Sequence, residues 1–399
     1  MDIAASAQMK AMDEEVGSAA ENELGAAIDG NALRLITSGK DRHRVILEMI
    51  GSAQHSVRLL FYMFVSDEAG TEVRDALLAA IRRGVKVDVL LDGFGSAGAE
   101  DGFFDALNDA GGKLCRFHPS YGRRYLLRNH QKLVVVDERR AIIGGANIHK
   151  DYLTDDGPGH WRDLWLTIDG PAVHCAANYF DLVDRWTVAK RPRLKDLRRL
   201  LARASQTEGP LQWKFSGPFM RRNAWHTIIA REISCGKSFD LISAYFSPPW
   251  AILRRIRKLG KRARILTAAR SDNNATIAAA RFTYARLLRR GVQMFEYRAA
   301  KLHTKLVIVD DAVHIGSSNF DFRSLYLNLE VMLRIEDADF AQRLRRYVDG
   351  ELAQSEQITP EIHQRRGTFL RRMKWALSYF LVTSMDYTVT RRLNFQQEE

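Results

Sequence analysis

The feature that most constrains this chain of 399 residues is that its pattern is written twice. NHQKLVVVDERRAIIGGAN ends at Asn147, and LHTKLVIVDDAVHIGSSN ends at Asn319. Each segment reads as a β-branched strand, a polar turn, a second apolar strand and a glycine-bearing loop, with one extra residue in the first turn. Downstream, Asp163 opens DLWLTIDG and Glu330 opens EVMLRIED, an acid followed by an alternating strand in both places. Upstream, VRLLFYMF from Val57 matches FDLISAYF from Phe239. Each leads into a helical stretch (VRDALLAAIRRG, WAILRRIRKLG) and then another strand (VKVDVLL, RARILTA). Strand–helix–strand order predicts an α/β fold of two related halves, each a mixed sheet with parallel pairs and a hairpin formed by its motif region.

The repeat sets the expected boundaries. Residues 1–30 read as an extension, 31–188 as the first half, 189–210 as a basic linker, 211–352 as the second half and 353–399 as a basic amphipathic tail. The first residues carry acids where a secretory signal would carry basic groups, and no apolar core region follows them. No run of ~20 apolar residues occurs, so the sequence predicts a soluble or peripheral protein. Cys115, Cys175 and Cys235 are too few and too scattered for a disulfide framework or a zinc pattern, which fits core packing and a reducing compartment. A formal charge of +12 favours an anionic partner, and nucleic acid and acidic lipid headgroups both satisfy it.

The chemistry sits in two triplets of equal spacing: His130, Lys132 and Asp137, then His303, Lys305 and Asp310. On a strand, residues i and i+2 share a face, so each histidine stands beside its lysine. One histidine can attack phosphorus to form a covalent intermediate. The other can protonate the leaving alkoxide and then deprotonate the incoming hydroxyl. Lysines and asparagine amides can hold the non-bridging oxygens, and a carboxylate on the far ring nitrogen fixes each histidine's tautomer. These roles need neither a metal nor a cofactor. His149, His160, His174 and His314 lack metal-ligand spacing, and no glycine-rich segment fits a nucleotide cradle.

The duplicated triplets with trailing Gly and Asn resemble the phospholipase D superfamily. GSSNFDFRSLYLNLE (Gly316 to Glu330) is similar to the second-motif segment of bacterial cardiolipin synthases, and RGVKVDVLLDGFGS, RNHQKLVVVD, GGANI and DGPGHWRD are similar to their first half. The resemblance covers roughly Asn31 to Leu352 and points to the branch lacking N-terminal transmembrane helices. It implies a pseudo-twofold bilobal fold with one cleft between the halves, lined by His130, Lys132, Asn147, His303, Lys305 and Asn319. Asn147 and Asn319 would bind substrate, and Asp163 and Glu330 would orient the histidines. Asp137 and Asp310, counted with the catalytic motif, would brace it more than touch substrate. It further implies a phosphatidyl-histidine intermediate on His130, with His303 as acid–base, and transfer of the phosphatidyl group to phosphatidylglycerol. Phosphatidylethanolamine is a further candidate donor, and the cytoplasmic face of a bacterial inner membrane the implied setting.

Three alternatives stand beside this expectation: hydrolysis of glycerophospholipids to phosphatidate, nucleic-acid cleavage, and a catalytically dead lipid-binding module. The intact motifs weigh against the last, and the synthase-like segment weighs against nucleic acid. In the tail, Phe369, Leu370, Met373, Leu377, Phe380 and Leu381 fall near one helical face, with Arg371, Arg372 and Lys374 beside them. Such a helix can lie in anionic headgroups or pack on the protein's own surface. The resemblance favours membrane contact. Tyr62 and Tyr245 occupy matching places in the repeat, at the cleft or in the core, and the basic runs at Arg123–Arg128, Arg191–Arg203 and Arg254–Arg264 read mostly as solvated faces.

Overall fold

The computed structural model describes residues 24–118, 127–218 and 223–384. In the first half the strands are β1 (Gly25–Ile28), β2 (Asn31–Ile36), β3 (Ser56–Phe61), β4 (Lys86–Asp92), β5 (Lys113–Phe117), β6 (Lys132–Val136), β7 (Arg140–Gly144) and β8 (Trp165–Asp169). They form one sheet in the order β1-β2-β8-β7-β6-β3-β4-β5. The second half has β9 (Leu211–Ser216), β10 (Phe239–Ser243), β11 (Ala263–Ala268), β12 (Gln293–Tyr297), β13 (Lys305–Val309), β14 (Ala312–Gly316), β15 (Glu330–Glu336) and β16 (Ser355–Ile358). Their order is β9-β15-β14-β13-β10-β11-β12-β16. Seven strands of each sheet therefore repeat in the same sequence, from β2 to β5 and from β9 to β12. Polarity repeats as well: β3-β4-β5 and β10-β11-β12 are parallel, while the motif hairpins β6-β7 and β13-β14 are antiparallel.

The motif strands KLVVV and KLVIV are buried along their whole length, because helices cover the outer face of each sheet and the inner faces meet each other. Helices Gly39–Gly51 and Glu68–Arg82 close the outside of the first sheet. Ala224–Cys235, Trp250–Leu259 and Asn274–Leu288 close the second. Between the sheets runs one continuous apolar core, fed by Leu133 and Val135, by Leu306 and Ile308, and by helices Val173–Val188 and Ala338–Ala353. Here β7 and β8 lie against β14 and β15. Each fully buried large aliphatic side chain contributes ~1.5–3 kcal/mol, so the halves are joined by a core and not by a loose inter-domain contact.

Three boundaries differ from the sequence expectation. Gly25–Ile28 pairs with β2, so the first sheet starts before residue 31. The basic linker contains helix Leu194–Ala204, whose Leu197 and Leu201 are buried in the shared core. Past residue 352, β16 pairs with β12, and helices Pro360–Arg366 and Phe369–Ser384 pack on Asn274–Leu288. In each case a few buried apolar side chains, Ile28, Leu201 and Tyr379 among them, tie the segment to the fold. Residues 1–23 of the extension and 385–399 of the tail lie outside the described residues, as do positions 123–126 of one basic run. Cys115 is buried and Cys175 half-buried, but Cys235 is exposed at a helix end, against the expectation of core packing for all three.

The motif aspartates occupy the hairpin tips. Asp137 and Asp310 both take left-handed backbone angles, φ +52° and +49°, which aspartate tolerates better than most residues. Asp137 accepts from the amides of Gln54 (2.9 Å), His55 (2.7 Å) and Ser56 (2.8 Å), tying the tip to the entry of β3. Asp310 does the same at the entry of β10, accepting from the amides of Lys237 (2.9 Å) and Ser238 (2.8 Å). Each lies on the order of 20 Å along the strand from its histidine. Counted with the catalytic motif in the sequence, they brace the motif strand, as the resemblance implied, and do not line the cleft. Asp137→Ala is expected to lower unfolding stability by about 2 kcal/mol in urea titration, through loss of charge-assisted bonds. Turnover per folded molecule should stay within about twofold of wild type, since no cleft group moves.

Candidate active site

The two motifs meet where the sheets meet, and backbone bonds between the halves fix how they meet. The His130 amide donates to Leu329 O (3.0 Å), and the Leu329 amide returns a bond to Arg128 O (2.9 Å). On the other side, Lys301–Leu302 pairs in parallel with Trp161–Arg162, and the His303 amide donates to Arg162 O (2.8 Å). The stretch before each histidine is thus paired with the stretch before the other half's acid.

The side chains follow. His130 Nδ1 lies 3.1 Å from both carboxylate oxygens of Glu330, and His303 Nδ1 lies 2.6 Å from Asp163 Oδ2. The acids are exchanged, so each histidine is oriented by the half it does not belong to. With Nδ1–H donated to the carboxylate, Nε2 keeps its lone pair. Glu330 is held in turn by the Ser317 hydroxyl (2.5 Å) and the Asn328 amide (3.3 Å). Asp163 accepts from the Leu164 amide (2.8 Å), while buried Arg42 grips the main chain around it through Asp163 O (2.6 Å) and Tyr152 O (2.8 Å). Lys132 Nζ donates to His130 O (2.7 Å), and Lys305 Nζ donates to His303 O.

Position 145 shows how little room this leaves. A β-carbon on Gly145 would lie 2.6–2.7 Å from the Asp163 carboxylate oxygens and 2.8 Å from Lys305 Cδ. The matching residue of the second repeat is Ser317, whose hydroxyl reaches the Glu330 carboxylate. One half thus pairs a short acid with glycine and the other a longer acid with serine.

Burial dominates the electrostatics. It pushes His130 down to about 4 against the opposing pull of Glu330. Burial, reinforced by the Lys305 charge 2.6 Å from Nδ1, pushes His303 down to about 3. Both rings are therefore neutral in the empty site at pH 7. Burial also lowers Lys132 to about 7 and Lys305 to about 8, with the acids partly offsetting it. Asp163 moves the other way: burial would raise it, but Lys305 and His303 more than offset that, and it stays below the usual carboxylate range.

A cleft of about 110 Å³ opens on this centre. His130, His303, Asn147 and Asn319 line it, while Lys132 and Lys305 stand beneath, buried. Tyr62 and Tyr245 also line it, their rings 5.0 Å from His130 and 6.3 Å from His303, which decides between cleft and core for both. The buried amide oxygens of Asn147 and Asn319 have no hydrogen-bond partner among the described residues, leaving each amide able to turn its NH₂ toward a ligand. Arg128, Arg323, Asn328 and Tyr152 line the cleft or hold its centre without having been singled out as site residues from sequence. Arg128, read as the end of a solvated basic run, lies over the Phe94 ring at 4.5 Å. Its place two residues before His130 was the available signal. Arg42 carried none, since nothing in KDRHRV marks one arginine as buried.

Two oriented neutral imidazoles, two lysines and two amides around one cleft define an enzyme of phosphodiester transfer, built from a duplicated half. The comparisons carry the class to a family. The model described as "Cardiolipin synthase, PLD-like domain" matches residues 46–175 and 229–351. Cardiolipin synthase 2 of Bacillus anthracis is 32% identical over 349 residues, covering 84% of this chain and 67% of that protein. Cardiolipin synthase B of Salmonella typhimurium is 32% identical over 343 residues, covering 81% and 80%. In fold, the chain is similar to the phosphatidylserine synthase of Haemophilus influenzae, with a TM-score of 0.69, 17% identity, and coverage of 88% and 95%. The chain belongs to the cardiolipin synthase family of phospholipase-D-like enzymes.

Gly145→Ala is expected to fold yet lose about a hundredfold or more in turnover, because the added methyl displaces Asp163 or Lys305 by the ångström that such sites do not tolerate. Circular dichroism beside a rate assay checks this. Unchanged turnover would mean that the Asp163–His303 pair is not needed in its observed geometry.

Proposed function

We propose that the protein is a phosphatidyltransferase that makes cardiolipin from phosphatidylglycerol. The observation that carries this reading is the exchanged pair of histidine–carboxylate contacts around one cleft, in a chain of this family. His130 Nε2 attacks the donor's phosphorus, and the bond to the leaving alkoxide breaks as His303 supplies its proton. The products of this step are a phosphatidyl-histidine and the free alcohol: glycerol from phosphatidylglycerol, or ethanolamine from phosphatidylethanolamine. A hydroxyl of a second phosphatidylglycerol then gives its proton to His303 and attacks phosphorus, freeing His130 and releasing cardiolipin. Lys132, Lys305, Asn147 and Asn319 hold the non-bridging oxygens as charge gathers on them.

The low proton affinity of both rings suits these roles. His130 is an available nucleophile well below neutral pH. His303 takes up a proton from solvent when a phosphodiester anion enters and offsets the lysine charges beside it, and this is the proton that goes to the leaving alkoxide. We place the reaction at the cytoplasmic face of a bacterial inner membrane, with the protein bound peripherally. Among the described residues no helix is long and apolar enough to cross a membrane.

Purified protein incubated with radiolabelled phosphatidylglycerol should yield cardiolipin on thin-layer chromatography, and His130→Ala and His303→Ala should each yield none. Phosphatidate as the sole product would replace the transferase reading with a hydrolase. For a soluble short-chain phosphodiester, kcat/KM should fall as pH rises above about 4, because His130 is already neutral there and His303 must gain a proton that the free ring does not hold, and fall more steeply through about 7–8 as the lysines lose their charge. The alkaline limb of kcat should lie higher, because bound phosphodiester favours the charged lysines. A kcat/KM that climbs through pH 8 would remove the lysines from anion binding.

A further inference from the structure

Helix Phe369–Ser384 has one side committed and one side bare. Trp375 and Tyr379 are buried against Asn274–Leu288, and the Tyr379 hydroxyl donates to Pro248 O (3.0 Å). On the opposite side Phe369, Leu370, Met373, Leu377 and Phe380 are 77%, 76%, 55%, 58% and 60% exposed. At 100° per residue these five fall within one stripe, turned away from Trp375 and Tyr379. Leu381, counted in this face from sequence, is half-buried. Arg372 and Lys374 are exposed on the two sides of the stripe, and Arg371, nearer the packed side, and Arg365, on the preceding helix, are exposed as well. A folded chain does not leave five large apolar side chains in a row to water without something to cover them.

The helix is also placed beside the cleft. Pro248 follows Phe246–Ser247, which pairs with Phe320–Asp321, and Asp321 lines the cleft. Helix Phe322–Tyr326, which carries the cleft residues Arg323 and Ser324, touches the same C-terminal helix. The supporting helix Asn274–Leu288 starts two residues after Asp272, which accepts from Tyr245 at the cleft wall (2.9 Å).

We propose that this helix is an interfacial foot that lays its apolar stripe into an anionic lipid surface and seats the cleft's second-half lip on that surface. The occupant is a bilayer because apolar depth and flanking positive charge occur together, on a chain with net charge +12. The cleft is lined by histidines, asparagines, arginines and tyrosines, which suit a headgroup phosphate, while the acyl chains stay in the bilayer as the headgroup reacts. A foot at the lip allows this, and this last step rests on the phosphatidyltransferase reading. The surface itself does not.

The test is sedimentation of the full-length protein with phosphatidylcholine vesicles and with phosphatidylcholine–phosphatidylglycerol vesicles, for wild type, Met373→Glu/Leu377→Glu and Arg371→Gln/Arg372→Gln. Wild type should bind the anionic vesicles strongly and the neutral ones weakly. The double glutamate variant should lose about tenfold or more in affinity, and the glutamine variant should lose the preference for anionic lipid. Both should turn over a soluble short-chain phosphodiester as wild type does, which also shows that they fold. Wild-type binding by the glutamate variant would overturn the proposal. So would a shift of that variant from dimer to monomer in analytical ultracentrifugation, which would make the stripe a contact between two copies. Vesicle binding is read without turnover, so a protein that binds lipid but makes no cardiolipin would count against the reaction and not against the foot.

Discussion

The arrangement on which everything else rests is the exchange of acids between the halves. His130 is oriented by Glu330 and His303 by Asp163, and neither contact exists inside one repeat. A half taken alone would hold a histidine without its carboxylate and a carboxylate without its histidine. The shared apolar core and the reciprocal backbone bonds at Leu329 and Arg162 are therefore conditions for the chemistry as much as for the fold. Whatever loosens the sheet-to-sheet contact loosens both pairs at once.

Exchange also resolves an electrostatic difficulty. Lys132, Lys305, Asp163 and Glu330 are all removed from water, and an isolated buried charge costs several kcal/mol. Gathered at one seam, the two lysines face the two acids, and the imidazoles are left neutral between them. The site is thus prepared for one more negative charge, since its lysines hold less tightly to their protons than lysines in water do. A phosphodiester supplies that charge. Binding energy and the protonation needed for catalysis then come from the same event.

Much of this was legible in the residues. The two triplets, the trailing asparagines and the acids opening DLWLTIDG and EVMLRIED are local patterns, and strand periodicity carries them onto one face. Which acid serves which histidine was not legible, because sequence order within a repeat says nothing about contacts between repeats. The bracing role of Asp137 and Asp310 was implied by the resemblance, but not their partners, because the main-chain amides at 54–56 and 237–238 leave no mark on a sequence pattern. Arg42 and Arg128 were missed for a related reason: a guanidinium bonded to carbonyls or stacked on a ring is written with the same letter as a solvated one. At residues 189–210 charge marked the segment between the halves but not its anchoring by the buried Leu197 and Leu201.

The glycine at position 145 and the serine at 317 have a consequence for the history of such a molecule. A site assembled from two identical chains is bound to its symmetry: a substitution that lengthens one acid lengthens both. Fusing the copies into one chain released that constraint, and here the release has been used. Asp163 beside Gly145 and Glu330 beside Ser317 are no longer interchangeable, so two dimerised copies of either half would reproduce one of the two environments twice and the other not at all. With both copies in one chain, the two histidines sit beside acids of different length, and each surrounding can be altered without altering the other.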